Sequence, residues 1–291
     1  MTVRKLAACD YGARHRLPRA CEWAITSCMV QLTNICEFLE TFAPRRLAED
    51  WDNVGLLVGD ANAEIERVMT CLTITPDSAA EAIDEGAQLI VVHHPLPFRP
   101  LKSINTGSTP GRMLWQLIQA GIAVYSPHTA FDSAAAGINQ RLAAGLGLTD
   151  IEPLVPLLDD PDQLGAGRLG RLEDSVSLAE FADGVKTCLT VDGLHVVGNG
   201  DQKIASAAVA CGSAGQFLSA AAKAGCDALV TGETSFHTCL EAEACGVSLL
   251  LPGHYASERF AVEELAKVLA GEFSGLEIWS SRREKDPIRW V

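Results

Sequence analysis

No run in the sequence approaches the ~18 uninterrupted apolar residues of a membrane-spanning helix. Apolar stretches such as 207–210 and 247–251 are strand-sized, which excludes a helix-anchored membrane protein. Basic residues are scarce: 23 Lys and Arg stand against 37 Asp and Glu. Beyond residue 28 the balance is 18 against 35, a surface that repels phosphate backbones and excludes general nucleic-acid binding. A small substrate, a cation or a protein partner remains. Ten cysteines are present, but no Cys-x-x-Cys pair and no secretory signal, so thiolate zinc motifs and a disulfide framework are both excluded. The cysteines read as reduced core residues of a cytoplasmic protein. What the chain does have is 48% hydrophobic residues over 291 positions, enough for one large or two ordinary well-cored domains.

Residues 1–28 show neither helical nor strand periodicity and carry five basic residues. A transit segment, a flexible arm and a start codon placed too early, with true initiation at Met29, compete. The last is favoured, which puts 1–28 outside the fold. From Met29 onward helices and strands alternate. "RVMTCLTIT", "QLIVVHH" and "AVYSPHT" read as strands, separated by the helices "DSAAEAIDEGA", with an Asp-Ser cap, and "GRMLWQLIQAGI". This βαβαβ rhythm implies a parallel sheet covered by helices. A Pro/Asp/Gly-rich segment at 153–170 reads as a connector, after which the pattern resumes through "IASAAVACG", "DALVTGE", "VSLLLPG" and "GLEIWSS". The fold class is therefore α/β, with two α/β domains in tandem, 29–150 and 151–291. The closing helix and strand are candidates to return to the first.

Ligands in such sheets sit beyond the carboxyl ends of the strands, and five of the seven histidines lie there: His93, His94, His128, His237 and His254. A lone histidine is most often a hydrogen-bonded core or surface residue, but five at equivalent strand ends form a pattern. In "VVHHPLPF" two adjacent imidazoles leave a strand and are followed by Pro95 and Pro97, which restrict the backbone. They suit two metals, one each, or one metal and an outer contact. "PHTAFD" offers His128 and Asp132, the carboxylate serving as a ligand or as a helix N-cap. "PGHYASE" puts His254 and Glu258 four apart, on one side of a helix if one starts there, and a carboxylate with two oxygens can bridge two cations. "TGETSFH" adds Glu233 and His237, which would orient ligands or carry protons. Three histidines and two carboxylates from distant segments suit Zn, Mn, Fe, Co or Ni in two open-sided sites, not a closed thiolate zinc or an all-oxygen Mg or Ca site.

The stretches "WDNVGLLVGD", "VVHHPLPFRPLKSI", "SPHTAFDSAAAGINQRLA", "GAGRLGRL", "ACGSAG", "DALVTGE" and "PGHYASERFAVEELA" resemble, in order and spacing, the Nif-three-like family, also catalogued as the type 2 form of GTP cyclohydrolase I. The resemblance runs from about Met29 to the C-terminus. It implies a two-domain protomer with a dinuclear metal centre in the interdomain cleft, assembled as a toroidal homohexamer. It further implies His93, His94, Asp132, His254 and Glu258 as metal ligands, with Glu258 bridging, and His128 and His237 lining the site. Departures from the family pattern at Ala130, Phe131, Glu233 and Ser257 lie outside that ligand set.

The activity implied is a dinuclear metal-dependent hydrolase acting on a small molecule, a nucleotide in the GTP cyclohydrolase reading. Water activated between two cations would open the imidazole ring of guanine with loss of formate, with Glu258, His128 and His237 as the catalytic candidates. The turn "CGSAG" at 211–215 offers its N–H groups to a phosphate or exists for tight packing, and Lys102 is a phosphate counter-charge or a solvated lysine. The rival class is a non-catalytic metal-binding scaffold or interaction protein. A thiol redox role for Cys211 lacks a suitably spaced resolving cysteine.

Overall fold

The computed structural model describes residues 29–289; the reading of 1–28 as a leader or misplaced start falls outside these residues. Among the described residues there are two large sheets and two small two-stranded ladders. The first runs in the order Glu277–Ser280, Arg67–Thr73, Leu89–His94, Ala123–Ser126, Gly55–Val58. Its first four strands are parallel, and Gly55–Val58 closes the edge antiparallel. The second has the order His195–Val197, Ser248–Leu251, Ala228–Glu233, Lys203–Ser213, Arg168–Ser177, Thr149–Glu152. Only its three central strands are parallel, and both flanks are antiparallel.

A purely parallel arrangement is therefore corrected at the edges. The segment expected to be a connector contains a small ladder, Val155–Pro156 with Gly165–Ala166, and then runs into the strand Arg168–Ser177. That strand escapes a hydropathy reading because much of it is exposed, and antiparallel flanks need only one apolar face. Two local details also change. Thr75, not an Asp-Ser pair, caps the helix Pro76–Asp84 through a reciprocal bond with Ser78. The strand Ala123–Ser126 stops before Pro127, and His128–Ser133 is a short helix.

The central strands are apolar on both faces, as parallel strands must be when helices cover both sides. Leu89 and Val91 pack into the core shared with the helix Leu32–Phe42. Ile90 and Val92 face Met113, Leu114 and Leu117 of the helix Thr109–Gln119. Carried two residues further, this alternation assigns His93 to the first face and His94 to the second. The register then sets His94 directly opposite Thr73.

The helix His254–Glu272 is the wall common to both large sheets. Ala261, Leu265 and Leu269 join the core of the first sheet, while Phe260 packs against cores of both sheets. Its Val262 carbonyl also accepts a 3.0 Å hydrogen bond from the Thr70 hydroxyl in the first sheet. The chain then ends its regular structure in Glu277–Ser280, back in that sheet.

Arg168 joins the units from the other side. It is 1% exposed, yet its guanidinium meets backbone carbonyls: Nη2 donates to Ser133 and Ala134 at 2.8 and 2.9 Å, and Nη1 to Gly165 and Gly167 at 2.8 and 2.6 Å. Nε donates to Gln140 at 2.9 Å. Two of the carbonyls directly follow Asp132, so this fork fixes the segment that carries the carboxylate. Truncation would strip four carbonyls of their donor, and each buried polar group left unpaired costs ~1–3 kcal/mol. Arg168→Ala should lower unfolding free energy by about 3 kcal/mol or more in urea titrations, and Arg168→Lys should recover little because an ammonium cannot reproduce the planar fork. A loss below about 1 kcal/mol would contradict this role.

Candidate metal centre

Four strand ends and the start of the shared helix converge on one cleft. His93 and His94 end Leu89–His94, and His128 follows Ala123–Ser126. Cys211 lies near the end of Lys203–Ser213 and Glu233 ends Ala228–Glu233, while His254 and Glu258 come from the first turns of the shared helix. At the middle is Glu258, 3% exposed. Its Oε2 lies 3.1 Å from Nε2 of both His94 and His254, and its Oε1 lies 3.8 Å from His93 Nε2. The two carboxylate oxygens thus face different sides of the cluster. His93 Nε2 is also 3.6 Å from Asp132 Oδ1.

Three of the four imidazoles are oriented from behind; the buried Nδ1 of His93 has no hydrogen-bond partner. Nδ1 of His254 donates to Glu233 Oε1 at 2.9 Å, and Nδ1 of His94 contacts the Thr73 hydroxyl at 2.7 Å. Nδ1 of His128 donates to Asp52 Oδ1 at 2.7 Å, while the other Asp52 oxygen accepts from both the amide and the hydroxyl of Thr129. These bonds hold Asp52 at about 2 against the opposing effect of its burial, so it is an acceptor and His128 carries its proton on Nδ1. His128 adopts φ +28, a conformation costing about 1–3 kcal/mol for an L residue, which the Asp52 contact holds in place.

Backbone close approach makes room for Glu258. A Cβ on Gly212, at φ +67, would stand 2.3 Å from Glu258 Oε1 and 3.3 Å from His254 Nε2. One on Gly232 would meet Ser257 Oγ at 2.6 Å and the Gly212 carbonyl at 2.7 Å. The amides of Cys211, Gly212 and Ala214 donate to Asn139, Ser257 and Thr231. Those three donors are committed to packing, which removes three of the five amides of 211–215 from the phosphate reading.

The donor set fits a divalent cation. Nε2 of His94 lies 3.3 Å from Nε2 of His254, and each is 3.1 Å from Glu258 Oε2. Ligands at ~2.0–2.1 Å in tetrahedral order around one ion are about 3.4 Å apart. No hydrogen bond of normal geometry satisfies Glu258 Oε2, as expected when lone pairs point to a shared centre. Among the described residues two triplets have ligand atoms close enough to share an ion: His94, His254 and Glu258, and His93, His94 and His128.

A model of the DUF34/NIF3 family (NGG1p interacting factor 3) matches residues 30–287. The chain belongs to the DUF34/NIF3 family. It is 35% identical over 242 residues to a Clostridium acetobutylicum protein named "GTP cyclohydrolase 1 type 2 homolog", covering 83% of this chain and 90% of the relative. Among solved structures, a Bacillus cereus protein related to NIF3 matches with TM-score 0.82 at 25% identity, covering 89% of this chain and 99% of the other. A Staphylococcus aureus protein also gives TM-score 0.82, at 27% identity with 90% and 99% covered.

Within this DUF34/NIF3 fold the five expected ligands, His93, His94, Asp132, His254 and Glu258, stand in one cluster. Asp132 is not a helix N-cap: it lies inside His128–Ser133, and the next helix, Ile138–Gly145, starts at Gly137 without a side-chain cap. His128 stands closer than a lining residue, in a triplet with His93 and His94. His237 is a correction. It is exposed on the helix Phe236–Cys245, with its ring against Phe236, outside both triplets and away from the cleft lining. A histidine in the first turn after a strand points wherever helical phase sends it, and here that is toward solvent. Lys102 is exposed and also outside the lining. The sequence reading missed Asp52, Thr73 and the Cys211 thiol, which donates to Asp132 Oδ1 at 3.2 Å. Asp52 lay in the quoted "WDN" stretch, but nothing local ties it to His128, 76 residues on.

Protons compete with a cation for these groups. Contact with Glu258 raises His254 to about 9, outweighing burial, with Glu233 adding to it. Burial, and then the Glu258 charge, push Asp132 up to about 7. Burial lowers His93 to about 4, so its ring is neutral. A cation must displace the protons on His254 and Asp132, so affinity should rise with pH up to about 9 and flatten above it. Metal titrations should show at least tenfold tighter binding at pH 8 than at pH 6, with proton release in buffers of different ionisation enthalpy; equal affinity at both would contradict the assignment. Gly212→Ala should cut metal content sharply with the fold retained by circular dichroism.

Proposed function

We propose that the protein is a dinuclear metal-dependent hydrolase. The observation that carries this reading is the split of Glu258, with Oε2 toward His94 and His254 and Oε1 toward His93. One cation would be held by His94, His254 and Glu258. The second would be held on the side of His93, Asp132 and the other Glu258 oxygen, with His128 adjacent. Mixed imidazole and carboxylate ligation suits Zn, Mn, Fe, Co or Ni. Bound there, such ions act as Lewis acids and lower the proton affinity of water in the cleft.

The chain's own residues supply the rest. Asp52 fixes the His128 ring with Nε2 turned away from the Asp52 contact, ready to take or return a proton. Glu233 and Thr73 hold the His254 and His94 rings in register. A cavity of about 540 Å³, lined by His94, His128, Asp132, His254 and Glu258, opens beside them and is large enough for a small molecule. The name of the curated relatives points to guanine as the ring attacked, opened by water with loss of formate.

The alternative, a metal-binding scaffold, draws on the interacting-factor description of the family. The aspartate–histidine pair favours an enzyme, because metal storage needs no oriented proton carrier. A homohexamer is proposed from the resemblance. Trp115 and Ile118, both 45% exposed on Thr109–Gln119, are apolar surface that an assembly would cover. No described helix is long and apolar enough to cross a membrane, and the seven described cysteines are free thiols, which supports the proposed cytoplasmic location.

Protein purified without chelator should carry about two divalent ions per chain by elemental analysis, and His94→Ala combined with Glu258→Ala should lose them. With metal content measured on the same samples, His128→Ala should lower turnover, followed as formate release from guanine compounds, at least a hundredfold. Metal-free parent protein that stays empty when resupplied would sink the dinuclear reading. Full metal with no turnover on any guanine compound would favour the scaffold.

A further inference from the structure

The mouth of the metal cavity is built from aromatic rings. Trp51 is 62% exposed and Phe98 47% exposed, although side chains of this size usually hide. Their ring centroids lie 5.9 Å apart, and those rings lie 6.1 and 5.9 Å respectively from that of His128. All three line the cavity, and Phe217 lines it from the second unit. Two conspicuously exposed rings, leaning on a histidine of the metal centre, form a shelf at the entrance.

Among the described lining residues outside the metal cluster, Glu49 is the one charged side chain. Glu49 is exposed at the same entrance, its amide donating to the Thr129 hydroxyl beside Asp52 and His128. On the facing wall, the amides of Cys211, Gly212 and Ala214 are already taken by side chains. A ring presented to the metal side would send any attached chain outward, past Glu49. A triphosphate there would meet a carboxylate.

We propose that the shelf of Trp51 and Phe98 binds a planar nitrogen heterocycle as a nucleobase or nucleoside, stacked at the entrance with its reactive edge toward His128, and that the site takes this class in preference to the nucleoside triphosphate. This rests on the hydrolase reading above and narrows its substrate class. Stacking of a base on an aromatic side chain accounts for roughly tenfold in affinity per ring removed.

The test is calorimetric titration of the metal-loaded protein with guanosine, adenosine and GTP, with excess magnesium so that the triphosphate cannot strip the centre. Metal content is measured on each sample before ligand is added. A nucleoside should bind, GTP should bind at least tenfold more weakly, and Trp51→Leu and Phe98→Leu should each weaken nucleoside binding about tenfold with metal content unchanged. GTP binding as tightly as the nucleosides, no binding of either nucleoside, or unaltered binding by both leucine variants would each overturn the proposal. Failure of the hydrolase reading is separately visible, as absent metal or as nucleoside binding without formate release.

Discussion

Glu258 is a carboxylate placed where a carboxylate is hard to keep. It is 3% exposed on a helix packed between two sheets, and an isolated buried anion would shed its charge by taking up a proton. Here contact with His93, His254 and His94 outweighs burial and holds it well below the ordinary glutamate range. Much of the surrounding architecture follows from supplying those partners. Two come from the end of one strand in the first sheet, and one from the helix itself, a turn before Glu258. Gly212 and Gly232 let the second sheet's backbone close over the acid where a side chain would collide.

Burial of this kind also explains why the site belongs to neither unit alone. The shared helix anchors Ala261, Leu265 and Leu269 in the first core and Phe260 against both. On the opposite side the Arg168 fork ties the second sheet to the carbonyls after Asp132. Asn139 spans the same gap, donating to the Asp132 carbonyl and accepting from the Cys211 amide. Any relative movement of the units would change spacings of 3.1–3.8 Å around Glu258, and both metal affinity and proton placement depend on those spacings. The orienting contacts come from equally scattered places: Asp52 before the first sheet's edge strand, Thr73 on a neighbouring strand, Glu233 in the second sheet.

Legibility followed the range of the interactions. The strand "LIVVHH" was plain because both faces are buried, and its end marks the cleft. His254 and Glu258 were readable as a pair because four residues is one helical turn. Where the same spacing was applied to Glu233 and His237, it failed: the strand ends at Glu233, Ser235 caps the next helix, and the phase sends His237 outward. The 211–215 turn looked like an anion cradle because its glycines are visible in sequence, while the hydroxyl and amide side chains that occupy three of its N–H groups come from positions 139, 231 and 257.

The sequence by itself determined the alternation of helices and the buried strands, the burial of the central strands and the types of donor at their ends, because these depend on local periodicity and on neighbours within a turn; the exposed strand Arg168–Ser177 was not among them. It also carried the family resemblance, since motif order is a property of the chain. Only the tertiary structure decided that His128 joins the cluster, that Asp52 and Thr73 orient its rings, that Cys211 touches Asp132, and that Trp51 and Phe98 stand at the entrance. Those relations link residues from 21 to 79 positions apart. Contacts across such separations are set by sheet order, register and the packing of one shared helix, and no local pattern encodes them.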